Sequence, residues 1–435
     1  MADESFKEFV SGGFVLAAVV FSSFISIGNA AETHGVSVSI AAAGAVGNGM
    51  TLNTPAIQKA IDQLAAKGGG TLVIPRGEFL SGAIFLKPGV NLHLDPGAVL
   101  KGSTNLDDYP ARETRIEGHE QVWRPALVNA CKTDHLCITG EGTIQGGGKP
   151  FWDAFWERRA TNRFTQNVDV ERPRNVFIQD SKDVHISGIS LRDSGFWNLH
   201  IYRCQDVFVD KLDIQAPTHS PSTDGIDVDS CQNVAIRGCY ISVNDDNIVL
   251  KGDKGPFAMD DKQNPPVAHV RISECTFGMG NAGLTLGSEA SVVRDVIMEH
   301  CQLVGTERNW VLKLKLRPDT PQLYENITAR NITVNNPSAK LVSIEGWNQF
   351  YDLHGQPPPS QSVDHVTLEN ISGTLNDFGR IEGPVKCTVQ NITFENIDIK
   401  VSDPKAVIRQ VKNLKLTNVK FNGVAFTGDQ TVSLK

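Results

Sequence analysis

A short pattern that recurs along the chain restricts its possible folds more than any other feature of the sequence. Each copy opens with Asn, Asp or His, followed by an aliphatic residue, any residue and a second apolar residue. Most copies open 22 to 31 residues after the previous one, and two intervals are longer, at 36 and 39 residues. The copies open at Asp183, Asp206, Asn233, His269, Asp295, Asn326, His365, Asn391 and Asn413.

The pattern within each copy is that of a half-buried strand, because alternate side chains of a strand point to opposite faces. The variable interval argues against a propeller or a leucine-rich horseshoe, whose repeats are stricter. Coils of this length stack into a parallel β-helix, in which each coil covers the apolar face of the next. We therefore predict an all-β solenoid of one domain, residues 31–435, in which the longer intervals are loops.

Two segments upstream of the repeats have separate roles. Thr54 to Ala66 has the periodicity of an amphipathic helix and ends at three glycines, so we predict that it caps the first coil. An apolar run from Phe14 to Ile27 predicts a signal peptide over residues 1–30, although a first core helix would give a similar run. The run is too short to span a bilayer. We predict a secreted or periplasmic protein with no membrane span in the mature chain.

Charge and cysteine spacing exclude further classes of function and structure. Lys plus Arg number 41 against 49 Asp plus Glu, a net charge of -8, which does not suit binding to nucleic acid phosphates. Cys204 and Cys231 share one position relative to the repeat, and Cys239, Cys275 and Cys301 share another. Equivalent positions on adjacent coils lie about 4.8 Å apart with parallel side chains, which favours stacked free thiols over disulfides.

The residues that point to chemistry are three aspartates in two neighbouring coils. Asp224 lies in the run Ser220–Cys231, and Asp245 and Asp246 lie in the run Val243–Lys251. Asp224 and Asp245 are 21 residues apart, about one coil, which predicts that both lie on the same face of the solenoid. Asp246 can reach the same groove only if the backbone bends, because neighbours in a strand point to opposite faces.

Three carboxylates in one groove cannot all ionise readily, because mutual repulsion and partial burial raise the pKa of one of them. Glycoside hydrolysis requires a protonated acid beside ionised carboxylates, since one carboxyl protonates the leaving oxygen while another activates water or attacks. The residues alone leave two other interpretations open: a calcium site, and turn aspartates that cap backbone amides, as Asp227 and Asp229 would.

These runs resemble glycoside hydrolase family 28, the polygalacturonase family. Its members carry Asn-Thr-Asp-Gly, Asp-Asp, Gly-His-Gly and Arg-Ile-Lys motifs on a right-handed parallel β-helix. The resemblance extends from about residue 56 to 419, and it includes Arg172-Pro173, the segment from Ser194 to His200, and Gly287-Ser288-Glu289.

The resemblance implies a role for each aspartate and implies that no metal or other cofactor is required. Asp245 would be the general acid, and Asp224 and Asp246 would hold and deprotonate the attacking water. Because the family inverts the anomeric configuration, the resemblance also implies a gap between acid and base of about 6.5–9.5 Å, wide enough for that water.

The chain departs from three of the four family motifs. Ser222 stands where the family has Asn, Asn281 stands where it has His, and Lys313-Leu314-Lys315 replaces Arg-Ile-Lys. In the family the histidine tunes the acid, and the Arg and Lys bind a galacturonate carboxylate. Lys313 and Lys315 share one face of a strand, which Arg317 continues. A solvated charged strand is one interpretation; we predict instead that the substrate-binding residues are Asn281, Lys313, Lys315 and Arg317.

Two inserts favour a groove that is closed at one end. Asp253 to Pro266 is a polar loop after the aspartate pair, and Pro150 to Arg159 is an aromatic and basic segment that would wall off the groove. Trp152, Trp156 and Trp347 are either platforms for sugar rings or packing residues. We predict a monomeric, exo-acting galacturonidase for pectin of the plant cell wall, with rhamnogalacturonan ahead of plain polygalacturonan. A xylogalacturonan hydrolase and a rhamnosidase are alternatives.

Two functions of other classes would use the same solenoid. A calcium-dependent enzyme similar to pectate lyases would cleave the chain by β-elimination. A non-catalytic glycan-binding solenoid would bind the polysaccharide without turnover. The spacing of Asp224 and Asp245 argues against both.

Overall fold

The structure is a computed structural model that describes residues 35–427, so the predicted signal peptide over residues 1–30 lies outside the described residues. The described chain winds into a right-handed parallel β-helix, as predicted, built on two parallel sheets. Within residues 35–427, no helix is long and apolar enough to cross a membrane.

The larger sheet, called sheet A, has 23 strands. Up to Val304 most coils contribute two short strands, and from Gln322 onward these fuse into one long strand per coil. The strands are Ser37–Ser39, Asn48–Leu52, Gly70–Ile74, Gly77–Ser81, Val90–Leu94, Ala98–Gly102, Cys137–Gly140, Thr143–Gln145, Lys182–Ser187, Ser190–Arg192, Gln205–Asp210, Asp213–Gln215, Gln232–Arg237, Tyr240–Ser242, Val267–Ser273, Thr276–Phe277, Val292–Glu299, Gln302–Val304, Gln322–Asn335, Gln361–Leu375, Cys387–Val401, Val411–Phe421 and Val424–Ala425.

The second sheet, called sheet B, has 11 strands, one per coil. They are Ile84–Leu86, Val128–Cys131, Val176–Gln179, Leu199–Tyr202, Ile226–Asp229, Ile248–Lys251, Leu284–Leu286, Asn309–Leu316, Ala339–Gly346, Asp377–Glu382 and Ala406–Arg409. The remaining elements are the helices Thr54–Ala66 and Lys149–Thr161, the 3-10 turns Leu106–Asp108 and Asn167–Asp169, and an antiparallel hairpin of Arg112–Ile116 and His119–Trp123.

The opening residue of each copy of the repeat bends the strand between its neighbours in sheet A. At all nine positions φ lies between 54° and 58°, in the left-handed region. The parallel register passes over these residues: Lys182 pairs with Gln205, Val184 pairs with Val207, and Asp183 between them is skipped. Asn, Asp and His tolerate this conformation much better than β-branched residues do, which explains why the pattern opens with them.

The helix Thr54–Ala66 takes the place of a sheet B strand in the first coil and caps the solenoid, as predicted. Ile57 and Ile61 on its inner face are fully buried. The side chain of Gln58 supplies the hydrogen bonds of a missing strand: its Oε1 accepts from the Phe85 amide at 2.9 Å, and its Nε2 donates to the Phe85 carbonyl at 3.1 Å. The free edge of sheet B is thereby covered.

The five cysteines that share positions relative to the repeat are buried packing residues, as their spacing predicts. All eight are free thiols. Cys204 and Cys231 stack on adjacent coils, and the Cys204 amide donates to Cys231 Sγ at 3.2 Å. Cys239, Cys275 and Cys301 form the second buried stack.

Candidate active site

The three predicted catalytic aspartates meet at the edge of sheet B where its strands begin. Asp224 lies two residues before Ile226–Asp229, and Asp246 lies two residues before Ile248–Lys251. These strands pair with a register of 22 residues, so Asp246 stacks directly on Asp224. Asp245 precedes Asp246 in the same bend, and one carboxylate oxygen of each aspartate lies within 4.8 Å of the other two.

The gap between acid and base that the family resemblance implies, about 6.5–9.5 Å, is wrong for this cluster. Its carboxylates approach within 4.8 Å of one another. The fold brings the carboxylates this close, because Asp246 stacks on Asp224 of the adjacent coil and Asp245 precedes Asp246 in the same bend. Two oxygens at this separation can still accept hydrogen bonds from one water molecule, since an O–H···O hydrogen bond spans about 2.7–2.8 Å.

Of the three aspartates, Asp246 is the one whose ionised form is most strongly stabilised. Its Oδ2 accepts a hydrogen bond from Lys315 Nζ at 2.6 Å, and its Oδ1 accepts one from Thr285 Oγ1 at 2.8 Å. Burial alone would raise the pKa of Asp246, but the ammonium groups of Lys315 and Lys313 hold that pKa below its ordinary value. Asp246 is therefore ionised at neutral pH.

Asp245 has the opposite bias. Burial and the adjacent charge of Asp246 raise the pKa of Asp245. Asn281 Nδ2 donates a hydrogen bond to Asp245 Oδ1 at 2.5 Å, so the residue that replaces the family histidine contacts the predicted acid. A carboxyl with a raised pKa and a partly exposed side chain has the properties of a proton donor.

The protonation of Asp224 is coupled to that of Asp245. Burial, together with the charge of Asp245, raises the pKa of Asp224 well above its ordinary value, and the Lys251 ammonium opposes this shift. Lys251 Nζ lies 3.3 Å from Asp224 Oδ2. Since the two carboxylates repel each other, protonation of either one favours the ionised form of the other. The cluster can thus hold one proton on Asp224 or Asp245 beside the ionised Asp246.

The outward-facing residues of sheet B form a continuous floor beside the aspartates. Side chains one coil apart stack in the order His200, Asp227, Val249, Thr285, Lys313, Ser343 and Arg380. We call the space above this floor the groove.

Lys313 is a floor residue whose ammonium forms no ion pair with a carboxylate of residues 35–427. Its Nζ lies 5.1 Å from the ring of Trp347. Burial, and next the charge of Lys315, lower the pKa of Lys313 to about 8. An acidic ligand would relieve this unfavourable position, because an opposite charge favours the ammonium form.

Arg317 does not present a free guanidinium to the groove. It is 3% exposed, and its Nε and Nη2 donate to Asp319 at 2.9 and 3.0 Å. Further donors bind the carbonyls of Gln349 and Phe350. Most of its hydrogen-bonding capacity is therefore used to hold the 349–350 segment.

The interpretation of Asp227 and Asp229 as turn residues is wrong. Both lie inside the strand Ile226–Asp229, where they alternate with core residues and face away from the core. Asp229 accepts a hydrogen bond from Arg115 Nε at 2.9 Å. Their alternation with Ile226 and Val228 is a strand pattern, which the flanking glycine and serine obscure in the sequence.

A hairpin that the sequence pattern did not reveal covers the upstream end of the groove. It spans Arg112–Trp123, and its buried Arg115 pairs with Asp229 and, at 2.8 Å, with Asp253 of the predicted 253–266 insert. Trp123 packs against Phe196 with ring centroids 6.1 Å apart. The signal in the sequence is the long interval between the strands that end at Gly102 and begin at Val128, which contains no copy of the repeat.

The tryptophans differ in their suitability as sugar platforms. Trp152 is buried in the helix Lys149–Thr161 and donates to the Ser194 carbonyl at 2.9 Å, so it is a packing residue. Trp156 is 41% exposed. Trp347 is partly exposed, and its ring lies 4.8 Å from Lys315 Nζ, beside the aspartate cluster.

The aspartate cluster could also be considered as a cation site, because carboxylate oxygens bind calcium. Two ammonium groups already occupy its surroundings: Lys315 Nζ lies 2.6 Å from Asp246, and Lys251 Nζ lies 3.3 Å from Asp224. Calcium takes about 6–8 oxygen ligands. The mixture of acids and ammonium groups fits proton transfer better than it fits calcium.

Comparison with known proteins settles the family. The family model described as "Glycosyl hydrolases family 28" matches residues 66–419. The chain belongs to glycoside hydrolase family 28. It is therefore a polygalacturonase-type glycosidase, and family 28 implies a substrate of the pectin type.

Relatives within family 28 cover most of the chain. It is 27% identical to a probable polygalacturonase of Vitis vinifera over 84% of this chain and 74% of the relative. It is also 27% identical to an exopolygalacturonase of Zea mays over 86% of this chain and 85% of the relative. The structure of a hyperthermoactive exopolygalacturonase from Thermotoga maritima superposes with a TM-score of 0.74, covering 90% of this chain and 93% of that one at 24% identity. The last similarity supports the fold.

Proposed function

We propose that the protein is an exported, exo-acting glycosidase that removes terminal galacturonate from pectin-type chains with inversion of configuration. The observation that carries the proposal is the cluster of Asp224, Asp245 and Asp246, whose carboxylates lie within 4.8 Å of one another. Beside them lies Lys313, which makes no ion pair within residues 35–427. Asp245 protonates the glycosidic oxygen, while Asp246 and Asp224 accept hydrogen bonds from the attacking water and remove its proton. The predicted signal peptide supports export.

Direct attack by Asp246 on the sugar is disfavoured, although the carboxylates are closer than in most inverting enzymes. Both of its oxygens already accept strong hydrogen bonds, from Lys315 and Thr285. These bonds stabilise the carboxylate and reduce its nucleophilicity, whereas it can still accept a bond from water. Proton NMR of the first turnover products tests this step: inversion gives the β anomer of galacturonate, and an initial α anomer would show retention.

Lys313 is the residue that we assign to the carboxylate of the sugar. Replacement of Lys313 by Met should raise KM for trigalacturonate about 10- to 100-fold, because a hydrogen bond to a charged group contributes about 1.5–3 kcal/mol. Lys340 is a matched control, since it also lies near a tryptophan, Trp310, but is paired with Asp377. Lys340→Met should leave KM unchanged. An unchanged KM in Lys313→Met would remove this residue from the binding site.

The same assignment predicts a pH dependence. The pKa of Lys313 is about 8 in the free protein, so the ammonium is present below this pH and is lost above it. We expect kcat/KM on galacturonate oligomers to fall as the pH rises through about 8. Arginine stays protonated throughout this range, so Lys313→Arg should remove the alkaline decline. A decline that persists in Lys313→Arg would have to come from another group.

Exo action is supported by the way the groove closes upstream of the aspartates. The hairpin Arg112–Trp123 lies over the earlier coils, where its Arg115 Nε donates to Asp229 Oδ2 at 2.9 Å. Downstream of the site the Arg380 side chain is 43% exposed. A chain of sugars could extend past Lys313 but not under the hairpin Arg112–Trp123. A short pocket on one side and an open groove on the other accommodate one terminal sugar and the rest of the polymer.

The product profile tests exo action. From hexagalacturonate we expect galacturonate and pentagalacturonate as the first products, with a slow loss of viscosity on polygalacturonate. Dimers and trimers among the first products would indicate internal cleavage. Release of rhamnose or xylose would change the assigned sugar but keep the mechanism. An unsaturated product absorbing near 235 nm that disappears with a chelator would indicate a lyase.

A further inference from the structure

A lysine that the aspartate motifs do not include occupies the centre of the buried charges behind the site. Lys251 is the last residue of the strand Ile248–Lys251 and is only 4% exposed. It stands at the position of sheet B that pairs with Asp229 in the preceding coil. A buried ammonium requires compensation by nearby acceptors, so its partners indicate its role.

Three carboxylates surround the Lys251 ammonium. Its Nζ lies 3.3 Å from Asp224 Oδ2, 3.5 Å from Asp227 Oδ1 and 3.5 Å from Glu289 Oε2. The ring of Trp197 lies 4.5 Å away and covers the remaining side. The lysine is therefore held in place by contacts on several sides, and its most direct link is to a catalytic aspartate.

The three carboxylates differ in charge. Burial raises the pKa of Asp227 to about 8, and within the described residues neither of its oxygens has a hydrogen-bond partner. It is protonated under acidic and neutral conditions. Glu289 is also buried, but the ammonium of Lys251 and then that of Lys254 hold its pKa well below the ordinary value. Lys251 thus stands between a permanent anion, Glu289, and Asp224, whose charge can change.

The hairpin seals this group of charges from solvent. Gly118 at its tip packs so closely that an added Cβ would lie 3.1 Å from Glu289 Cβ and 3.2 Å from the Gly252 carbonyl. The hairpin therefore lowers the local dielectric constant around Lys251, and electrostatic interactions are stronger where water is excluded.

We propose that Lys251 is a positioning residue that favours the ionised form of Asp224 and fixes its Oδ2 atom, so that Asp224 can accept a hydrogen bond from the attacking water. The inference rests on the proposed function. Without the ammonium, the buried Asp224 would face Asp245 and Asp246 with only the buried guanidinium of Arg172 as a nearby cation. Asp224 would then take up a proton and stop acting as an acceptor for water. Lys251 itself lies behind the aspartate and does not contact the sugar.

The test is the pH profile of trigalacturonate hydrolysis by Lys251→Met, measured as kcat and KM. The active form needs an ionised Asp224, so the rate rises with pH through the pKa of this group. Loss of Lys251 raises that pKa, and the rising limb should move to higher pH by about one unit or more. At acidic pH kcat should fall about 100-fold or more, with little change in KM. Lys251→Arg should recover most of kcat.

A second variant keeps the test valid if Lys251→Met does not fold. Glu289→Gln removes an anion that competes for Lys251, so the rising limb should move to lower pH. Opposite shifts in the two variants would not result from a purely structural role. Lys405→Met, which removes a lysine paired with Asp403 in the last coil, is the control for loss of one charge.

Two results would overturn the inference and one would overturn the function. Loss of activity in Lys251→Met at an unchanged pH profile, or shifts of the same sign in Lys251→Met and Glu289→Gln, would contradict a role through Asp224. A folded wild-type protein that hydrolyses no galacturonate oligomer would instead contradict the proposed function.

Discussion

Asp245→Asn is expected to lower kcat about 1,000- to 10,000-fold on galacturonate oligomers while the folded protein keeps its thermal stability. General acid catalysis contributes about 100- to 10,000-fold, and an amide cannot protonate the glycosidic oxygen. Stability should not fall, because Asp245 adds repulsion to a cluster in which its own pKa is raised by burial and by Asp246. Removal of that charge relieves the repulsion. Reducing-sugar release and thermal unfolding, measured on the same samples, check both parts.

Asp183→Asn is the matched control for this variant. Asp183 opens a copy of the repeat, has φ of 55° and lies on the surface near His135. Asparagine tolerates this backbone conformation as well as aspartate does, so activity should not change. Loss of the exposed pairs with His135 and His185 should lower stability only slightly, because exposed ion pairs contribute little. If Asp245→Asn kept more than about one tenth of wild-type kcat, Asp245 would not be the proton donor.

Lys315→Met is expected to destabilise the fold by about 3–5 kcal/mol at neutral pH. This is the typical cost of removing one partner of a buried ion pair, because the other charge stays buried without a partner. Lys315 and Asp246 have side chains 8% and 2% exposed, with 2.6 Å between Nζ and Oδ2. The folded pKa of Asp246 is lowered. This pair therefore stabilises the protein above the unfolded pKa of aspartate, and the stabilisation is lost as the pH falls through the lower folded value. The difference between wild type and Lys315→Met should accordingly shrink in acid.

Denaturant unfolding of Lys315→Met at neutral and acidic pH measures this difference. The double variant Lys315→Met with Asp246→Asn should recover most of the stability, because no unpaired charge remains, but it should stay inactive. Lys313→Met provides the comparison from the same strand, and it should not be destabilised because Lys313 has no ion pair within residues 35–427. Equal destabilisation of the Lys313 and Lys315 variants would contradict the separate roles assigned to the two lysines.

The solenoid and the clustering of the three aspartates could be predicted because local sequence determines them. Each coil must bend at a residue that accepts positive φ, and this requirement places Asn, Asp or His at positions such as Asn233 and His365. The alternation that follows fixes which side chains enter the core. Given that register, Asp224 and the Asp245–Asp246 pair have to stack at one edge of sheet B.

What could not be predicted depends on contacts between distant parts of the chain. Lys313 and Lys315 look equivalent in an alternating strand, and only the positions of Asp246 and Trp347 distinguish them. In sequence, Arg317 continues the row of cationic residues that Lys313 and Lys315 begin. In the structure, however, its guanidinium donates hydrogen bonds to Asp319 and to two backbone carbonyls. The hairpin has no repeat to mark it, because it folds over sheet B rather than within the solenoid.

Hydrolysis in water enriched in ¹⁸O tests the central claim most directly, namely that aspartates on stacked coils activate water against a galacturonosyl linkage. We expect wild-type protein to release galacturonate that carries one ¹⁸O atom at C1, seen by mass spectrometry, and Asp245→Asn to release almost none. An unsaturated product without the label, or equal binding of the oligomer by both proteins with no product from either, would contradict the account.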